Sequence, residues 1–214
     1  EVLDHPALAY VEQRGFDPVE LGRDFAVMAV TKPAIVYARG RFGVELFGRN
    51  GVPLGCQLRL PKDLPWKDPV LKAGLPVKYW NPRGTKKTHA LYNFGKPPQR
   101  ARLVLVEGMS DVWSVGQEGA AYFGASLSAE QIRMVREYAP RTCVIVPDTD
   151  VWDPGKEVHR HFDRLLAARD ELDQVLEGGC RVVKLPDPRD PGDWQRDELL
   201  DWLACNETRA ECVA

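Results

Sequence analysis

The spacing of apolar and polar residues changes character about halfway along the chain. In the first half the apolar residues form short, separated runs. PALAYVEQR over residues 6–14, closed by Gly15, predicts a short helix with a glycine stop, and Pro18 to Leu21 begin a second. Ala34 to Ala38, Val44 to Phe47 and Pro53 to Leu60 are rich in strand-forming residues, and Asn50-Gly51 between the last two is a hairpin signal. From Pro61 to Pro98 the chain is rich in Pro, Lys and Gly, which predicts a loop-dominated segment.

The second half alternates between two periods. Strand-like runs at Leu103–Val106, Ala121–Phe123, Cys143–Val146 and Arg181–Leu185 are separated by helix-like runs at Ser110–Glu118, Ser128–Tyr138 and Gly155–Leu176. Ser128 followed by Gln131 makes a capping box for the second of these helices. A βα repeat of this kind predicts an α/β fold with a mostly parallel central sheet flanked by helices, whose ligands gather beyond the carboxyl ends of the strands. Acidic residues stand at those ends: Glu107 after the first strand, Asp148 and Asp150 after the third, and Asp187, Asp190 and Asp193 after the fourth.

Charge sharpens the division. Residues 1–105 carry 17 Lys and Arg against 9 Asp and Glu, a net +8, and residues 106–214 carry 12 against 22, a net −10, within an overall charge of −2. Such a split suits cations that hold phosphates beside carboxylates that hold metals, although two solvated faces would give the same count. The 44% apolar content is ample for a core, and no run of apolar residues approaches a membrane span. A soluble, cytoplasmic protein is therefore expected. Five scattered cysteines show no C-x-x-C pairing for zinc, and the four histidines are poorly spaced for a ligand set. Because the first residue is Glu1, flanking domains of a longer protein are expected outside this chain.

The carboxylates suit magnesium, which prefers an octahedron of oxygens supplied by a few carboxylates, waters and substrate phosphates. In Asp148-Thr149-Asp150 both acids share one face if the backbone stays extended. A lone D-x-D is more often a turn or helix cap. Glu107 and the Asp190 group on other strands of the same predicted sheet favour a metal site instead.

LVLVEGMSDVWSVGQEG, then VIVPDTD, then KLPDPRDPGDW resemble the Toprim domain of bacterial replicative, DnaG-type primases. The resemblance implies that Glu107 is a general acid/base or metal ligand, that Gly108 permits a tight turn beside it, and that Asp148 and Asp150 bind metal. It implies Asp190 as a further ligand and Asp193 as a weaker match, with Asp111 on the first helix in support. The stretch Val151-Trp152-Asp153-Pro154 before Gly155 makes the loop after the second aspartate longer than the family's.

Toprim domains also occur in topoisomerases, recombination mediators and nucleases, so the basic half decides between them. ALAYVEQRGFDPVEL, VKYWNP and KTHALYNF are similar to segments of the primase polymerase core. On that resemblance Lys78 and Asn81 contact nucleotide or template, and Lys87, Arg59, Arg39 and Arg41 match basic positions of the same surface. Tyr79 and Trp80 are either stacking platforms or core.

The expected organisation is a basic α+β subdomain over residues 1–100, a Toprim domain over 101–195, and a C-terminal helix and tail over 196–214. The implied activity is synthesis of short RNA primers on single-stranded DNA from nucleoside triphosphates, assisted by Mg²⁺ or Mn²⁺ and without zinc in this chain. The implied partners are the template, the triphosphates and a replicative helicase, fused or separate, and the compact basic half suits a phage or plasmid replicon. The rival readings are a Toprim nuclease or topoisomerase that cleaves DNA, and a non-catalytic DNA-binding scaffold.

Overall fold

The computed structural model describes all residues except 1–4, 33–37, 39, 50, 62–77, 95–100, 153–158, 187 and 207–214. The expectations for a strand at Ala34–Ala38, of which Ala38 alone is described, for Arg39, for Asn50, for Asp187 and for the start of the helix at Gly155 lie outside the described residues. The chain divides into two compact units, one of Glu1–Leu46 with Pro53–Thr85 and one of Phe47–Val52 with Lys86–Ala214.

In the first unit, helix α1 (Pro6–Gln13) begins at His5, whose Nδ1 accepts the Ala7 N–H at 3.1 Å. Helix α2 (Pro18–Phe25) is capped by Asp17, whose Oδ1 accepts the Val19 N–H at 2.8 Å. Four strands follow, β1 (Met28–Ala29), β2 (Phe42–Phe47), β3 (Pro53–Arg59) and β4 (Tyr79–Trp80), joined side by side in that order. The expected strands at 44–47 and 53–60 are β2 and β3, and Gly51 at their turn has φ of +69°, a region favourable to glycine. Gly43 lets the two strands close, since a Cβ there would stand 2.0 Å from the Gln57 carbonyl oxygen.

The second unit is the predicted βα repeat. Its strands β5 (Arg102–Val106), β6 (Gly119–Ala121), β7 (Thr142–Val146) and β8 (Cys180–Val182) form a sheet in the order β6-β5-β7-β8, with all three pairings parallel. Parallel strands are covered on both faces, which is why LVLV and CVIV read as continuous apolar runs. Leu103, Leu105, Cys143 and Ile145 share one core cluster with Ile132 and Val135 of helix α4 (Ala129–Tyr138) and Leu165 and Leu172 of helix α5 (His159–Asp173). Alternation turns Val104, Val106, Val144 and Val146 to the opposite face. Helices α3 (Met109–Val115) and α6 (Arg196–Asn206) pack against each other, and all seven residues of α3 are buried.

Strand β6 is Gly119–Ala121 where a strand over Ala121–Phe123 is expected, β8 ends at Val182 and not Leu185, and two helix ends differ for local reasons. Helix α3 stops at Val115 and not Glu118, because Gly116 takes φ of +86°. The chain then enters β6 at Gly119, where a Cβ would already be 3.0 Å from the Val115 side chain, so helix and strand meet earlier than the apolar pattern suggests. Helix α5 ends at Asp173, whose Oδ1 accepts the Cys180 N–H at 2.9 Å and so turns the chain into β8. Among the described residues no helix is long and apolar enough to cross a membrane.

Candidate active site

The carboxyl ends of β5, β7 and β8 bring acids from three separate stretches of chain to one rim of the sheet. Glu107 follows β5 directly, and its carbonyl accepts the Phe123 N–H at 2.9 Å, while the neighbouring Val106 carbonyl accepts Tyr122 N–H at 3.0 Å. These bonds fasten the exit of β6 to the exit of β5. Gly108 then caps α3, donating its N–H to Asp111 Oδ2 at 2.7 Å, and Asp111 is only 6% exposed. Gly108 has extended backbone, with φ of −118° and ψ of 165°, a conformation open to any residue, and Asp111 lies on the first helix.

After β7 the backbone does not stay extended. Thr149–Trp152 form a single 3-10 turn, in which Val151 N–H donates to the Asp148 carbonyl at 3.2 Å. The premise that placed Asp148 and Asp150 on one strand face therefore fails. Asp148 is half-buried in the rim and Asp150 is exposed on the turn. Asp190, beyond β8, bridges to this turn: its Oδ1 accepts the Thr149 backbone N–H at 2.9 Å and the Thr149 hydroxyl at 2.8 Å. The Thr149 hydroxyl also lies 3.2 Å from the Pro188 carbonyl. Asp193 is exposed, on the short 3-10 turn Pro191–Asp193.

The electrostatic consequence is a crowd of like charges in a partly dehydrated place. Glu107 is pushed from 4.5 up to about 8, chiefly by burial, with the fields of Asp150, Asp111 and Asp190 adding and the Asp148 backbone N–H partly offsetting. Asp148 is pushed from 3.8 to about 9, again chiefly by burial and then by Asp111, Glu107, Asp190 and Asp150. Glu107 Oε1 and Asp148 Oδ1 are buried without a hydrogen-bond partner. So is the Tyr122 hydroxyl, whose own proton is held more tightly by burial and by the charges of Glu107, Asp148 and Asp111. Among the described residues no three His, Cys, Asp or Glu side chains are disposed as a ready-made metal-ligand set.

Sequence reasoning missed two residues of this rim. Thr149 is the middle residue of the D-x-D, where a hydroxyl among acids was the available signal. Tyr122 sits in an apolar strand-like run that offered no signal at all.

The basic candidates of the first unit cluster around β3 and β4. Arg59, 4% exposed, places its guanidinium 5.0 Å from the Tyr10 ring centre and 5.4 Å from that of Tyr79, and donates to the Tyr79 hydroxyl at 3.1 Å. Arg41, 2% exposed, donates to the Lys78 carbonyl at 3.2 Å, and burial makes its proton less tightly held. Lys78 itself is exposed, with its ammonium 5.3 Å from the Tyr79 ring centre. Asn81 is half-buried with Oδ1 lacking a partner. Lys87 is exposed on a 3-10 turn, Lys87–His89, that belongs to the second unit.

No protein-family model matches the sequence, and no curated protein sequence matches it. Solved structures do. A DnaG primase catalytic domain bound to single-stranded DNA superposes with a TM-score of 0.65 at 21% identity, covering 97% of this chain and 72% of that one. The RNA polymerase domain of Mycobacterium tuberculosis primase DnaG gives 0.61 at 20% identity, covering 93% and 75%. The zinc-binding and RNA polymerase domains of the Aquifex aeolicus primase give 0.64 at 19% identity, covering 96% and 57%. The class is thus defined at the level of architecture: an α/β protein whose parallel sheet carries an acidic rim. More particularly, the chain has the fold of the catalytic cores of DnaG-type primases.

Proposed function

We propose that this chain synthesises short RNA primers on single-stranded DNA. The observation that carries the reading is the convergence of Glu107, Asp148 and Asp190 at the carboxyl rim of a parallel sheet, with Glu107 Oε1 and Asp148 Oδ1 buried and unpartnered. Buried carboxylate oxygens without donors are costly, and an all-oxygen, strongly negative donor set fits a hard divalent cation. Glu107, Asp148 and Asp190 would hold Mg²⁺ or Mn²⁺, with Asp150 and Asp193 on the exposed side and Asp111 lending charge from α3. The bound ions would neutralise the triphosphate and favour ionisation of the attacking hydroxyl.

The chain's own residues supply the rest. Glu107, beside Asp148 at the rim, would accept the proton of the 3′-hydroxyl as that oxygen bonds to the α-phosphorus and the bond to pyrophosphate breaks, or else complete the metal shell. Thr149 fixes Asp190 against the loop that carries Asp148. Lys78 and Lys87 are exposed to meet phosphates of template and triphosphate, with the half-buried Asn81 beside Lys78 in sequence, while Arg41 and Arg59 act from beneath, through Lys78 and Tyr79. One of the similar structures is bound to single-stranded DNA. Its ligand suggests the template here, and a replicative helicase is the further partner that the sequence resemblance implies.

Incubation of the chain with single-stranded DNA, labelled ribonucleoside triphosphates and Mn²⁺ tests the reading. Short template-dependent products support it. Nicked template without incorporation would identify a nuclease.

A further inference from the structure

The N-terminal turn of α4 does more than a helix cap requires. A capping box needs the Ser128 hydroxyl to accept the Gln131 N–H, here at 3.2 Å, and the Gln131 side-chain oxygen to accept the Ser128 N–H, here at 2.9 Å. Either glutamine or glutamate completes that exchange. Gln131, however, is 1% exposed, and its amide NH₂ is aimed at three carbonyls of other segments: Ala90 and Tyr122, both at 2.8 Å, and Lys87 at 3.3 Å. Two hydrogens serve the two short contacts, and the Lys87 carbonyl shares one of them. The Ser128 hydroxyl, besides accepting, donates to the Thr88 carbonyl at 2.5 Å.

All the carbonyls from Lys87 to Ala90 except that of His89 thus end on Ser128 or Gln131. The turn they belong to exposes Lys86, Lys87, Thr88 and His89 to solvent. At its other end the Gln131 amide grips Tyr122, whose N–H is bonded to Val106 and whose successor Phe123 is bonded to the Glu107 carbonyl. One buried side chain therefore joins an exposed basic turn to the backbone beside the acid at the sheet rim. Exposed 3-10 turns with three residues have little cohesion of their own, so without these bonds the turn has many conformations open to it.

We propose that Gln131 is a positioning residue for the Lys86–His89 turn, holding Lys87 where it meets a phosphate of the bound nucleic acid or triphosphate. This inference rests on the reading of Lys87 as a phosphate contact given above. Gln131 touches no ligand itself; it acts through Lys87.

The test is direct binding of a fluorescein-labelled oligothymidylate and of a fluorescent nucleoside triphosphate, measured without catalysis over a range of salt. Gln131→Glu keeps the cap of α4 but sets a carboxylate oxygen against the three carbonyls, whereas Gln131→Met removes the clamp and the side-chain half of the capping box, leaving the Ser128 hydroxyl on the backbone N–H. Both are compared with Lys87→Ala and with the double variants. The expected result is that Gln131→Glu and Lys87→Ala each weaken at least one of the two probes about three- to tenfold. Each also lowers the slope of log affinity against log salt by about one, the signature of one lost phosphate contact. Gln131→Glu placed in the Lys87→Ala background adds nothing further. Hydrogen exchange at the His89 and Ala90 amides speeds up in both Gln131 variants while the amides of β5 stay protected, which shows that the fold persists.

Wild-type binding by Gln131→Glu with a loosened turn, wild-type binding by Lys87→Ala, or fully multiplicative losses in the double variant would each overturn the proposal. The catalytic reading fails separately, if wild-type protein binds both probes and incorporates no nucleotide.

Discussion

Replacing Glu107 by glutamine should stabilise the metal-free protein, and the gain should depend on pH. In the folded chain Glu107 keeps its proton up to about pH 8, whereas in the unfolded chain it loses it near 4.5. Between those values the folded state binds more protons than the unfolded state, so its stability falls as pH rises through that window. One such group costs at most ~1.4 kcal/mol per pH unit, which sets a ceiling of ~4–5 kcal/mol by pH 8. Glu107 shares its burden with Asp148 and keeps some contact with solvent, so a net cost of ~2 kcal/mol is the working figure. Glutamine keeps the side-chain oxygen that accepts the Asp148 N–H and removes the charge. For a chain of this length ~2 kcal/mol corresponds to a rise in Tm of about 4–8 °C. Thermal unfolding of both proteins in chelator at pH 5 and pH 8 measures it. Glu107→Gln should melt several degrees above wild type at pH 8 and close to it at pH 5, and millimolar Mg²⁺ at pH 8 should raise the wild type more than the variant. Equal melting temperatures at pH 8, or a gain of the same size at both pH values, would refute the buried-charge reasoning.

Three further substitutions probe other parts of the account. Asp190→Ala removes the acceptor of two Thr149 hydrogen bonds, leaving the hydroxyl the Pro188 carbonyl, and should cost ~1–3 kcal/mol in urea unfolding, less the relief from removing one charge of the rim; unchanged stability would mean the two loops are held some other way. Tyr122→Phe deletes a buried hydroxyl that has no partner, so denaturant melts should show a neutral change or a gain of up to ~1 kcal/mol, and a loss above that would expose a missed hydrogen bond. Gly43→Ala drives a methyl group to within 2.0 Å of the Gln57 carbonyl, and should lower the stability of the first unit by ~2–4 kcal/mol or prevent its folding; a variant as stable as wild type would contradict the close strand approach.

The sheet of the second unit was legible because parallel strands are buried on both faces, and LVLV, CVIV and the Ser128–Gln131 box carry that burial in their composition. The acids were legible for a topological reason: the segments that leave parallel strands share one rim, so Glu107 and Asp148 just after their strands and Asp190 in the loop beyond β8 could be gathered without coordinates. What escaped depended on backbone turns and on the second partner of a side chain. The 3-10 turn at Thr149 separates the faces of Asp148 and Asp150, and strand alternation could not foresee it. Gln131 declared itself as a cap, but its three carbonyl partners lie on segments distant in sequence. Arg41 and Arg59 read as nucleotide- or template-binding cations on the family resemblance; here Tyr10 and Tyr79 flank the Arg59 guanidinium and the Lys78 carbonyl holds that of Arg41, and both side chains are buried.

The central claim, that the acidic rim of the second unit performs metal-dependent nucleotidyl transfer, is tested most directly by dinucleotide formation from labelled ribonucleoside triphosphates on single-stranded DNA with Mn²⁺, comparing wild type with Asp148→Asn. Template-dependent product is expected from the wild type and at least a hundredfold less from the variant, which should remain folded and melt no lower, since it loses a carboxyl whose ionisation burial opposes. Product formed by Asp148→Asn at the wild-type rate would contradict the claim.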